Sequence, residues 1–151
     1  MIIECVNNID DALRCNELLE KLIRSESKYN YNIRQNYKVK NWFENFYNEK
    51  SNAIFVAKEN EVIIGYVYIQ IISTESGPMV DKEALIDGLY INSEYRGKGI
   101  AKKLMNTAEE WAKTNGVKFL YVNVLEENSV ANELYKKLNF DNFELKLRKE
   151  L

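Results

Sequence analysis

The 151-residue chain has no histidine, and that absence narrows its chemistry more than anything it contains. A general base working near neutral pH must then be a carboxylate, a tyrosine, a water held by the backbone, or the substrate itself. Only two cysteines are present. A transition-metal centre needs three or four convergent ligands, so no metal is expected. Cys5 and Cys15 fall in apolar-patterned segments and suit the thiol core of a cytoplasmic protein better than a disulfide. No apolar run approaches the roughly 20 residues of a membrane span, and no basic-then-apolar leader opens the sequence. A net charge of −2 leaves no electrostatic footprint for nucleic acid. The single proline, Pro78, follows Gly77 and marks a loop.

What is present is ordinary for a globular protein. Residues 1–151 suit one domain, which at this length buries about two-thirds of its unfolded surface. Residues 2–6 form a short apolar strand. Asn8 or Asp10 caps a helix to about residue 24, with Ala12, Leu13, Leu18, Leu19, Leu22 and Ile23 on its inner face. Residues 25–37 are polar, aromatic and poorly periodic. A second helix is expected over residues 39–48, with Trp42, Phe43, Phe46 and Tyr47 on one side. Segments 53–58 and 62–72 are rich in β-branched and aromatic residues, and the hairpin-length break at Glu59, Asn60 and Glu61 makes them antiparallel neighbours. Further on come a strand over 118–125, a helix over 129–138 capped by Ser129, and a strand over 140–147. This order is mixed and fits an α/β or α+β domain.

The stretch from 87 to 101 organises the rest. Residues 85–91 are apolar apart from Asp87 and Gly88, Arg96 to Gly99 supplies two cations and two glycines, and Ile100, Leu104, Ala108, Trp111 and Ala112 then recur at helical spacing as far as an Asn115-Gly116 cap. A helix N-terminus has unpaired N–H groups and a partial positive charge. Glycines let phosphates approach closely, and Arg96 and Lys98 add full charges. A diphosphate site is the physical expectation. A Walker loop fails because Lys98 is followed by glycine. A dinucleotide fingerprint fails because Lys102 stands where its third glycine belongs.

Arg96-x-x-Gly99-x-Ala101 after an apolar strand resembles the acetyl-CoA-binding motif of the GNAT family of N-acetyltransferases. A second block, with Asn128, Ala131, Leu134, Tyr135, Leu138 and Phe140, resembles that family's later segment. Asn139 stands there in place of the usual glycine and tolerates the left-handed conformation a helix end requires. The resemblance covers nearly the whole chain. It implies a central mixed, mostly antiparallel sheet with helices on both faces, acetyl-CoA as co-substrate, and an acceptor amine on a small molecule or a peptide. It also admits a homodimer.

The resemblance further implies residue roles. The backbone N–H groups of Arg96, Gly97, Lys98, Gly99, Ile100 and Ala101 would cradle the pyrophosphate. Leu89, Tyr90 and Ile91 would border the pantetheine arm as an added strand edge, and Asn128 would hydrogen-bond to it. Tyr135 would protonate the departing thiolate. Asp87 would be the base, or would position the substrate cation. On an unbroken strand, positions 85, 87, 89 and 91 share one face, which would aim Asp87 past Leu89 at the amine. Glu26 and Tyr29 are expected to touch the acceptor. A lysine-like amine at pH 7 needs about 4.6 kcal/mol to bare its lone pair, whereas an α-amine needs about 1 kcal/mol. A strong base therefore matters for a primary alkyl amine. Two alternatives remain open: a protein lysine or N-terminal acetyltransferase, and a non-catalytic acyl-CoA-binding regulatory domain.

Overall fold

The computed structural model describes residues 1–72 and 77–151, and among them five strands form one sheet in the order β1-β2-β3-β4-β5. Strands β1 (Ile2–Cys5), β2 (Asn52–Glu59), β3 (Val62–Ile71) and β4 (Glu83–Ile91) pair antiparallel in succession. β5 (Phe119–Val122) joins β4 in parallel. A parallel step needs a crossover, which helix α2 (Ile100–Thr114) supplies. Helix α1 (Ile9–Ser25) links β1 towards β2, and α3 (Ser129–Lys137) follows β5. The class is the mixed α/β one expected from the order of elements.

Local chemistry accounts for the boundaries. The β2–β3 hairpin turns on Asn60 and Glu61, whose φ values of +51° and +64° match a two-residue turn with the twist of its strands. Asn8 caps α1, its side-chain oxygen accepting from the Asp11 N–H at 2.9 Å. Asp10 and Asp11 in the first turn oppose the helix dipole. Asn128, rather than Ser129, caps α3. Asn139 lies at φ +67°, the conformation for which asparagine substitutes for glycine.

Each face of the sheet carries its own core. On one, Leu104, Met105, Ala108 and Ala112 of α2 pack against Val67, Ile69, Ala84 and Ile86, with Tyr135, Leu138 and Phe140 at the margin. On the other, Val6, Ala12, Cys15 and Leu18 meet Ile54, Val56, Tyr66, Tyr68 and Phe43. Each fully buried aliphatic side chain of this kind contributes about 1.5–3 kcal/mol. Lys58 ties the second layer together, reaching Glu4 at 2.6 Å and Asp11 at 2.7 Å and so linking β1, α1 and β2.

The structure corrects further sequence expectations. Leu13 is exposed, and Cys15 and Asn16 take the inner positions of α1. Cys5 is exposed as well, so only Cys15 is a core thiol. Segment 39–48 holds one turn of 3₁₀-helix, Phe43–Asn45, instead of an α-helix. Asn41 has φ +55°, and Asn16 pins the segment from α1 by accepting from the Phe43 N–H and donating to Glu44. Phe43 thus reaches the core as an anchor, while Trp42 stays exposed. Residues 140–147 form no strand, because no neighbouring strand of the chain pairs with them among the described residues.

Candidate active site

β4 is longer than its parallel partner. The ladder to β5 runs from Glu83 opposite Phe119 to Ile86 opposite Val122 and stops there. β4 continues to Ile91, still paired with β3 on its other side. Among the described residues no strand pairs with residues 87–91 on that side, the kind of edge to which an extended ligand can add as a strand, although the Ile91 carbonyl there is taken by Arg96.

A bulge begins that open stretch. Tyr68 lies opposite Gly88 and Ile69 opposite Ile86, which leaves Asp87 as the extra residue. An inserted residue reverses the alternation of side chains. Ala84 and Ile86 before it, and Leu89 and Ile91 after it, all pack on the α2 side, whereas Tyr90 packs on the α1 side. Asp87 and Leu89 thus do not share a face, contrary to the reading of an unbroken strand. Asp87 instead accepts a hydrogen bond from Gln70 Nε2 at 3.0 Å. Surrounding protein raises the Asp87 carboxyl above its ordinary pKa by desolvation.

Tyr66 lies on the same side as Gln70. Its ring is fully buried and its hydroxyl has no hydrogen-bond partner among the described residues. Burial first, then the charges of Cys15, Asp87 and Glu26, hold the Tyr66 phenol well above its usual pKa. Glu26 stands in the 3₁₀ turn Glu26–Lys28 after α1, and burial raises its carboxyl too. Tyr135 of α3 is pushed up to about 12, by burial and then by Glu26. It therefore stays protonated at neutral pH. Its ring meets Phe140 edge-on at 5.8 Å. The Glu26 charge bears on both phenols, and that of Asp87 on Tyr66. Tyr29 follows in the same turn as Glu26, its ring under the Lys28 ammonium at 5.0 Å.

The expected phosphate loop lies beyond the far end of β4. Gly97 and Gly99 both have φ of +77° with open space where a side chain would stand, so backbone conformation rather than crowding calls for glycine. Gly99 is the N-cap of α2 and offers no side chain to the helix terminus. The first turn of α2 holds no acid, unlike that of α1, and carries Lys102 and Lys103. That leaves the positive end of the helix for an external anion. Lys98 lies over the Tyr95 ring at 5.2 Å. Arg96 is partly committed elsewhere: Nε donates to the Ile91 carbonyl at 2.9 Å and the guanidinium lies over Tyr90. Ile100 is buried in the core and Ala101 packs against it, so these two offer only their backbones.

Asn128 spends its side-chain oxygen on the Ala131 N–H at 3.1 Å, and its amide N–H groups have no partner among the described residues. Asn132, missed from sequence, staples the same loop by donating to the carbonyls of Leu125 and Asn128. Tyr66, Gln70 and Gly88 were also missed. Their part depends on the bulge, which no local sequence pattern announces.

The acetyltransferase (GNAT) family model matches residues 16–140, most of the chain, and the chain belongs to this family. An uncharacterized N-acetyltransferase of Methanocaldococcus jannaschii is 30% identical over 143 residues, covering 92% of this chain and 59% of that protein. The chain spans 31% and 45% of the lengths of two uncharacterized N-acetyltransferases of Bacillus subtilis. A Bacillus halodurans protein solved as a tetramutant superposes with a TM-score of 0.88 at 21% identity, over 100% of both chains. An aminoglycoside N-acetyltransferase solved in complex with CoA gives 0.74 at 18% identity, over 99% of this chain and 100% of that one. At these identities the two structures show a common fold.

Proposed function

We propose that the protein is an N-acetyltransferase that moves the acetyl group of acetyl-CoA to a primary amine of a small cationic molecule. The observation that carries this reading is the edge of β4 that continues to Ile91 beyond its ladder with β5 and leads into the glycine loop at 96–101. A donor laid along that edge has its diphosphate end at the start of α2 and its thioester end near the bulge. Leu89, Tyr90 and Ile91 border the pantetheine arm, and the free amide of Asn128 faces it from the opposite side. The family membership and the CoA complex of the aminoglycoside N-acetyltransferase relative support the choice of donor.

The reaction proceeds by direct attack in a ternary complex. The amine nitrogen bonds to the thioester carbon, the carbon–sulfur bond breaks, and the thiolate takes the Tyr135 phenol proton. The proton released by the amine passes to Asp87, directly or through water, and returns the phenol to its neutral form. Glu26 and Asp87, two carboxylates in partly desolvated surroundings, favour a cationic acceptor, because an ammonium group compensates their burial. Tyr29 belongs at most to the outer wall. Release of free thiol from acetyl-CoA across a panel of small amines and peptides tests the reading: turnover with small polyamines or aminoglycosides supports it, and turnover with peptides alone moves the acceptor to protein. Binding of acetyl-CoA without turnover would leave a regulatory acyl-CoA domain.

A further inference from the structure

Gln70, near the end of β3, is the only hydrogen-bond partner of the Asp87 side chain among the described residues, with Nε2 donating to Oδ2. An ionised carboxylate can only accept, so the contact fixes the orientation of the amide as well as that of the acid. Oδ1 of Asp87 has no partner among the described residues, and the residue is exposed. No neighbouring cation offsets the desolvation of its carboxyl. The titratable groups on this face are Tyr66 and Tyr68 of β3 and Tyr90 of β4. Cys15 and Glu26 bear on the first phenol and Glu49 on the second. Arg96 is occupied by the Ile91 carbonyl and the Tyr90 ring.

The amide has a second acceptor beside it. Asn52 of β2 stands directly opposite Gln70, on the face shared with Ile54, Tyr66 and Tyr68. Its Oδ1 is buried and unpartnered. Opposed residues have Cβ atoms about 4.5–5.5 Å apart, within reach of a glutamine side chain. Gln70 nevertheless serves the charged acceptor at the bulge and leaves the buried neutral one unsatisfied, although an orphaned acceptor costs stability.

We propose that Gln70 is a positioning residue for the acceptor half of the reaction: it holds Oδ2 of Asp87 and leaves Oδ1 as the oxygen that meets the amine. The inference rests on the reading of Asp87 as the group that receives the amine proton. As the amine loses its N–H bond, directly or through water, the new O–H bond forms on Oδ1, because Oδ2 already faces a donor. The same proton then returns to the Tyr135 phenolate.

The test uses the full chain and two substitutions of nearly equal size. Gln70→Met removes the donor, and Gln70→Glu sets a second carboxylate beside the first. Both should raise the Asp87 pKa, read from carbon-13 NMR of its carboxyl without substrate, by roughly half a unit or more for Met and further for Glu. The acid limb of kcat/KM for the amine should move up with it. The plateau kcat of Gln70→Met should fall roughly tenfold with KM for acetyl-CoA unchanged. In an Asp87→Asn background Gln70→Met should add nothing. Gln70→Glu, which keeps the site polar, carries the test should Gln70→Met not fold. If Asp87→Asn alone leaves the pH profile of wild type, the reading of Asp87 fails and takes this proposal with it. If Asp87→Asn alters the profile while the Gln70 variants keep the wild-type Asp87 titration and kinetics, that reading stands and the proposal is overturned. An equal loss from Gln70→Met with and without Asp87 would also overturn it.

Discussion

The hydroxyl of Tyr66 occupies the space a side chain at position 88 would need: a Cβ on Gly88 would lie 2.8 Å from Tyr66 Oη. The contact falls one residue past the bulge that presents Asp87, so it fixes the strand beside that carboxylate. Gly88→Ala should destabilise the protein by roughly 1–3 kcal/mol, because a buried ring must move. In a Tyr66→Phe background the colliding oxygen is gone, and the cost of Gly88→Ala should fall by at least about 0.5 kcal/mol. Urea unfolding of the four proteins measures this coupling. Strict additivity would mean that the hydroxyl is not what excludes a side chain there.

Tyr135→Phe should lower kcat by about 100-fold or more, in the range typical for loss of a general acid. Its KM for acetyl-CoA should stay near that of wild type, because the ring and its contact with Phe140 remain. Steady-state kinetics with a saturating amine separates the two parameters. Unchanged turnover would remove the phenol from the mechanism.

Asp87 gives a pH signature. Burial raises its pKa, so as pH falls it is protonated earlier than an ordinary aspartate. If it takes the amine proton, kcat/KM must decline as pH drops through that raised value. Asp87→Asn should move the rising limb to higher pH, where the amine loses its proton without help. A profile of the same shape in both proteins would confine Asp87 to holding the substrate cation.

Asp11 makes a separate prediction about stability. Burial acts to raise its pKa, but hydrogen bonds from Lys58 and Asn8 and the Lys58 charge outweigh it and hold the carboxyl below the ordinary range. A depressed folded pKa contributes stability above the unfolded value and loses it as pH falls through the folded one. Asp11→Asn should therefore be less stable than wild type at pH 7. The gap should close progressively from about pH 4 downward, as the carboxylate becomes protonated. Denaturant midpoints at several pH values measure it, and a constant gap would assign the loss to something other than charge.

The sequence displayed what depends on neighbours along the chain. The hairpin at Asn60, the cap at Asn8, the left-handed Asn139 and the glycine loop all follow from local backbone chemistry, and the structure has each in place. What it concealed depends on distant partners. Segment 39–48 has a helix-like apolar spacing, yet Asn16 captures its backbone and turns Phe43 into a plug. Residues 140–147 have strand composition, but strand is a property of two segments, and among the described residues no second segment pairs with them. The bulge at Asp87 arises from fitting β4 to β3. It inverted the expected face of the residue on which the acid–base argument rests, and it brought Tyr66 and Gln70 into the region unannounced.

The most direct test of the account is the appearance of free CoA thiol when purified protein, acetyl-CoA and individual amines are mixed, with product mass measured in parallel. The account predicts thiol release that depends on a cationic primary amine, a product heavier by one acetyl group on nitrogen, and near-complete loss of both signals in Tyr135→Phe. Stoichiometric acetyl-CoA binding with no amine-dependent thiol release from any small amine or peptide would contradict it.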